Sequence, residues 1–206
     1  MPKYVTNILD FDCTPERFRE IAESLKMNPE EPLGQVDFNT LIPMPSSLEI
    51  ESSPRGEKGY EAYKKFVEES LALDDAAKDA LEATYRDRFN DDPESWELGK
   101  KYYQNAALYG ETNWNDWCWK HWNTPWNAVE CMPADTKRCR LVFTTAWSMV
   151  PRILLAISRK YPDAGITYHW FEEGVDYSYG DAVLGGGECL EHHNYTHYTD
   201  SSEESI

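Results

Sequence analysis

The sequence predicts an α+β fold: a ferredoxin-like, split βαβ antiparallel sheet with a large helical insertion. Three observations lead there. Short β-rich runs stand towards both ends of the chain, amphipathic helical stripes follow two of them, and residues from about 51 to 112 carry helical texture alone. The resulting order is β-α-β, helices, then β-α-β-β, a split βαβ plan with one added strand.

Each element has a local cause. Lys3–Phe11 is β-rich, with Tyr4, Val5, Ile8 and Leu9. Thr14-Pro15-Glu16 then supplies a capping hydroxyl, a proline at the first helical position and an early acid, and Phe18, Ile21, Ala22 and Leu25 make one apolar stripe. Val36–Ile42 reads as a second strand, ended by Pro43 and Pro45. In the insertion, Tyr60, Tyr63 and Val67 form one stripe and Leu81, Tyr85 and Phe89 another, while Asp92-Pro93-Glu94 opens a further helix.

Asn113 with Asp116 marks the start of a tryptophan-rich helix over residues 113–124, stopped by Pro125. Arg140–Trp147 is a strand, and Val150, Leu154, Ile157 and Tyr161 stripe the helix after it. Ile166–Glu173 alternates with rings on both sides, so both faces are expected to be covered. Tyr177–Leu184 is the last predicted strand, ending in three glycines. One domain over residues 1–190 is expected, with a flexible acidic tail over 191–206.

Charge narrows the choice of partner. The chain has 37 acidic and 20 basic residues, net −17. Beyond Lys160 there is no Lys or Arg, while Asp163, Glu172, Glu173, Asp176, Asp181, Glu188, Glu191, Asp200, Glu203 and Glu204 follow. Phosphate backbones are held by cations that release counterions, so direct nucleic-acid binding through this part is not expected. A basic protein partner is. Five cysteines without regular spacing fit reduced thiols, and neither a secretory leader nor an apolar membrane span is read, so a cytoplasmic setting is expected.

The run Trp114-Asn115-Asp116-Trp117-Cys118-Trp119-Lys120-His121-Trp122-Asn123-Thr124-Pro125-Trp126-Asn127-Ala128 resembles the YubB-type ferredoxin-like domain family, in which a Trp-x-x-Trp helix leads into a Trp-Asn-Ala step. The 39–45, 141–147 and 166–173 segments share the likeness, which covers most of the chain outside the insertion. The resemblance implies the fold and a phage, plasmid or other mobile-element setting in a bacterium or infected host. It carries no catalytic residues.

Candidate sites come from residue chemistry. Trp114, Trp117, His121, Trp122 and Trp126 form an aromatic cluster, read chiefly as a packing clamp between insertion and sheet. His169 and Phe171 alternate onto one strand face and complete the candidate binding set. Cys189, His192, His193 and His197 are zinc-ligand types, but their spacing matches no standard pattern and a flexible His-rich tail is the favoured account of them. Gly185-Gly186-Gly187 lacks the Lys-Ser/Thr of a phosphate loop, and no cofactor is expected. The leading reading is a non-catalytic acidic module that binds a protein, in its sharper form an inhibitor of a nucleic-acid-binding protein. The competing reading is a small-molecule or nucleotide-binding enzyme with its site between the sheet and the tryptophan-rich helix.

Overall fold

The structure, a computed structural model, describes residues 3–197. The chain divides into two compact units, Met1–Pro43 with Cys118–Ile206, and Met44–Trp117.

The first unit holds a six-stranded sheet in the order β2-β3-β1-β4-β5-β6, every neighbouring pair antiparallel. Its strands are β1 (Tyr4–Asp12), β2 (Glu130–Cys131), β3 (Arg140–Ala146), β4 (Gly165–Glu172), β5 (Tyr177–Gly185) and β6 (Glu188–His197). The first four make the ferredoxin-like order: β1 and β2 flank β3, and β3 and β4 flank β1. Helix α1 (Pro15–Ser24) follows β1, and α6 (Pro151–Lys160) joins β3 to β4. Two strands rather than one are added beyond that plan.

One face of the sheet is the core. Val5, Leu9, Phe11, Leu141, Phe143, Ile166 and Tyr168 are buried on it, under Phe18, Ile21 and Ala22 of α1 and Ile153, Leu154 and Ile157 of α6. Thr14 caps α1 through Arg17 N, as its sequence predicts. Phe38 bridges the rings of Phe143 and Trp122 at 6.0 and 5.6 Å. Inside this apolar layer lies one polar node. Asn7 is fully buried; its Nδ2 donates to Val5 O (3.0 Å), Phe143 O (3.3 Å) and Thr145 Oγ1 (3.0 Å), and its Oδ1 accepts from Tyr168 OH (2.8 Å). Burial holds the Tyr168 phenol protonated, well above its ordinary range.

Three expectations are corrected. Val36–Ile42 forms no strand: Asp37 Oδ1 accepts from Asn39 N (2.8 Å), and a 3-10 turn over Phe38–Thr40 results. That side-chain bond offers the backbone an alternative to a ladder. The sheet position is taken by β2, two residues long and lying beyond the insertion. Second, β4 is covered on one face only, since His169 and Phe171 are exposed. Third, the expected tail begins as structure: residues 188–197 pair with β5 as β6. Gly186 and Gly187, with φ of 59° and 86°, make the two-residue turn between them, where positive φ at both positions is what a tight hairpin requires. Residues 198–206 of that tail lie outside the described residues.

The second unit is helical: α2 (Pro54–Ser70), α3 (Asp75–Asp87) and α4 (Pro93–Tyr109), and the start of α5 (Trp114–Trp122), which continues into the first unit. Phe66, Tyr85, Phe89 and Trp96 form its aromatic core. Helices α2 and α4 meet at two glycines: a Cβ on Gly59 would lie 1.8 Å from Ser95 O, and one on Gly99 2.0 Å from the Gly59 carbonyl carbon. Tyr102 OH donates to Glu51 O (2.6 Å), tying the segment before α2 to α4.

Two stability outcomes follow. Gly99→Ala forces backbone against backbone and destabilises by about 1–3 kcal/mol or more, read as a lower urea midpoint; an unchanged midpoint would show that the helices do not meet there. Asn7→Leu removes the partners of Tyr168 and Thr145 and destabilises by about 1–3 kcal/mol, whereas Tyr168→Phe, which strands no donor, loses less in the same urea titration.

Candidate functional site

The face of the sheet opposite the helices is where the sequence places its exposed chemistry. Directly opposed residues of antiparallel strands share a face. One such row runs Ile8–His169–Asp181–His193, the next Thr6–Phe171–Tyr179–Tyr195, and a third Asp10–Thr167–Val183–Glu191. Tyr177 stands opposite His197. Phe171, Tyr179 and Tyr195 are 42%, 41% and 47% exposed, large values for rings.

These rings are ordered against one another. Tyr179 and Tyr195 stack at 5.1 Å, Tyr177 and His197 at 4.9 Å, and Tyr177 lies 6.0 Å from Tyr179. His193 extends the ladder, 6.4 Å from Tyr195. Its Nδ1 is 3.0 Å from Asp181 Oδ2, and its Nε2 3.5 Å from Glu191 Oε1. The hydrogen bond to Asp181 raises the His193 pKa above its ordinary value. Arg140 faces Asp10 in register and holds it with two bonds, 2.6 and 2.7 Å, so that cation is already paired. The ladder is thus aromatic, with carboxylates beside it.

Residues 121–204 match the family model described as the ferredoxin-like domain in Api92-like protein. The matched stretch takes in β2 to β6 and α6, the strands that carry the ladder among them. Among solved structures the chain is similar to the crystal structure of protein Api92 from Yersinia pseudotuberculosis, at 12% identity and a TM-score of 0.42, over 97% of this chain and all of that one. No curated protein matches the chain. The ferredoxin-like class predicted from the order of elements agrees with that description, and the fold is an antiparallel six-stranded sheet with several helices.

The residues singled out from the sequence are dispersed. Trp117, Cys118 and Trp122 are buried. Trp122 Nε1 donates to Ile42 O at 2.9 Å, a packing role. Trp114 is half-buried at the start of α5, behind Asn113, whose Oδ1 accepts from Asn115 N (2.9 Å) and Asp116 N (3.3 Å) as the capping pattern predicts. Trp126 is 44% exposed, beyond the helix end, which comes at Asn123 in the left-handed region (φ 67°) before Pro125 is reached. His121 lines a cleft beside α6. His169 and Phe171 belong to the open face together.

The zinc-type group does not assemble. Strand alternation sends His193 and His197 to the open face and His192 to the helix side, and Cys189 opposes Leu184 on that helix side as well. No group of three or more metal-ligating side chains forms among the described residues. Cys189 and His192 instead border an apolar hollow of about 210 Å³ with Leu154, Tyr168, Trp170 and Leu184. The sequence reading missed Tyr177, Tyr179 and Tyr195 as surface residues. Their alternation at positions 177, 179 and 195 was visible, but β6 was not recognised as a strand, so the second half of the ladder had no partner.

The His193–Asp181 pair has a titration signature. A raised folded pKa means the pair is stabilising below the unfolded value of 6.5 and that this contribution is lost as pH rises through the folded pKa. His193 ring resonances in NMR are expected to titrate above 6.5, and Asp181→Asn to return the midpoint towards it; equal midpoints in both proteins would break the pairing.

Proposed function

We propose that the chain is a non-catalytic protein-binding module that takes an extended, basic segment of a partner on the outer edge of its sheet and over the aromatic ladder beside it. The observation that carries this reading is β6. It is the outer strand, ten residues long, exposed throughout, and free of Lys, Arg and Pro. Long edges with unpaired backbone groups are templates for another strand, and proteins ordinarily blunt them with short length, lysine or proline. The opposite edge, β2, is blunted in that way, at two residues. An added strand gains main-chain hydrogen bonds from β6, and alternate side chains would lie over Tyr179 and Tyr195.

Basic character in the partner follows from complementarity. Arginine and lysine are attracted to exposed aromatic faces and to the carboxylates Asp181 and Glu191 beside them. A net charge of −17 extends that attraction beyond the contact surface. The same features disfavour direct nucleic-acid binding, since the ladder's face presents carboxylates and its one arginine, Arg140, is held by Asp10. Occupying the basic surface of a nucleic-acid-binding protein is the form of action this charge suits. A mobile-element setting is supported by the likeness of Trp114–Ala128 to the YubB-type family.

A fluorescent arginine-rich peptide tests the mode without altering charge. Binding measured by anisotropy is expected to weaken about tenfold in the Tyr179→Ser, Tyr195→Ser double variant, and to fall with added salt. Equal binding by parent and variant, or salt-insensitive binding, would sink the proposal. A chain that self-associates through β6, seen as a dimer by light scattering that excludes the peptide, would also overturn it.

A further inference from the structure

Cations are scarce on this chain, and many of its arginines face carboxylates: Arg17 pairs with Glu20 and Asp163, Arg55 with Glu51 and Glu94, Arg86 with Glu82 and Glu97, Arg138 with Asp135, and Arg140 with Asp10. Arg152, Arg159 and Lys160 enter none of the ion pairs among the described residues. All three line a single cleft of about 600 Å³ in the first unit, between α6, the end of α5 at His121 and the turn at residues 40–42. The cleft also has an apolar surface, made by Leu155 and Ala156 of α6 with Leu41 and Ile42.

Helix stability accounts for two of these cations and not the third. Arg159 and Lys160 stand in the last turn of α6, where the negative end of the helix dipole favours them. Arg152 stands in the first turn, directly after Pro151, where the same dipole opposes a positive charge. It is anchored there: Arg152 Nη1 donates to the carbonyl of Lys120, near the end of α5. That bond occupies one N–H of the guanidinium fork and leaves others to bind an acceptor. Arg152 and Arg159 are seven residues apart on one face, about 10 Å along the axis. Arg159 is braced in turn by the β5–β6 hairpin, because Gly187 packs so closely that a Cβ there would lie 2.9 Å from Arg159 Cβ.

We propose that this cleft binds a small organic phosphate of nucleotide size, its charged groups held by Arg152, Arg159 and Lys160 and its flat body laid on Leu155 and Ala156. The guanidinium fork matches phosphate oxygens two at a time, and a multiply charged ligand answers three cations gathered in one concavity. The volume lies within the range of small-molecule sites. The site is on the helix side of the sheet and is independent of the β6 edge.

Titration calorimetry of the full chain with ATP and with inorganic pyrophosphate tests it. ATP is expected to bind more tightly than pyrophosphate, and Arg152→Gln with Arg159→Gln to weaken ATP about tenfold or more, while Tyr179→Ser with Tyr195→Ser leaves it unchanged. Absence of heat from both probes up to millimolar concentration overturns the proposal, as does equal ATP binding by the arginine variant. Pyrophosphate binding as tightly as ATP overturns the role of the apolar floor. Should the arginine variant fail to fold, amide shifts in the parent protein decide: ATP moving Leu155 and Ala156 supports the cleft, and shifts confined elsewhere refute it.

Discussion

Everything in the first unit depends on β1 lying between β3 and β4. Those two strands run parallel to each other and are joined by α6; only a third strand running the opposite way lets both hydrogen-bond in a regular antiparallel ladder. The strand that fills this position carries Asn7, whose amide reaches backbone and side-chain partners on β3 and whose carbonyl is met by Tyr168 on β4. An apolar residue would bury comparable area there. The asparagine adds directional contacts that a shifted register would leave unsatisfied in a dry layer.

From that arrangement the two faces of the sheet diverge in chemistry. The side beneath α1 and α6 is apolar and closed around Phe38, Phe143 and Trp122, and its outer rim holds the clustered cations of α6. The other side displays stacked rings with carboxylates beside them. Three of the chain's cations line a concavity beside α6, while the open face and long edge carry rings and acids.

Much of this organisation was legible in the sequence, for physical reasons that vary by element. Helix α1 carries its own start signal in Thr14-Pro15 and its own stripe, and α6 repeats its apolar residues with helical period; such local codes survive tertiary packing. Segment 36–42 misleads because Val36, Phe38 and Leu41 suit a strand, whereas one aspartate hydrogen bond decides for a turn. Strand β2 is too short to have a pattern at all. Strand β6 is polar on both sides, since neither is packed into the core, so alternation in hydrophobicity has nothing to report. The candidate site suffers most from that silence: the ladder needs β6 to be visible, and the α6 cleft needs residues 40–42, 121 and 152–160 to be brought together by folding. Only the seven-residue spacing of Arg152 and Arg159 stood in the sequence beforehand.

The pairing of β5 with β6 contains one irregularity, a register shift beside Val183 and Leu184 that passes from Cys189 to Glu191 and leaves Leu190 without an opposite number. Its effect is one of parity. Cys189 and Glu191 would share a face in a regular strand; the extra residue turns Glu191, His193 and Tyr195 to the open side and His192 to the other. Removing Leu190 alone would leave a regular strand with Val183 still opposite Glu191 and the ladder still on the open side, whereas a one-residue slip of β6 against β5 would exchange the two sets. Register against β5, rather than the length of the strand's beginning, is thus what sets the chemistry of each side.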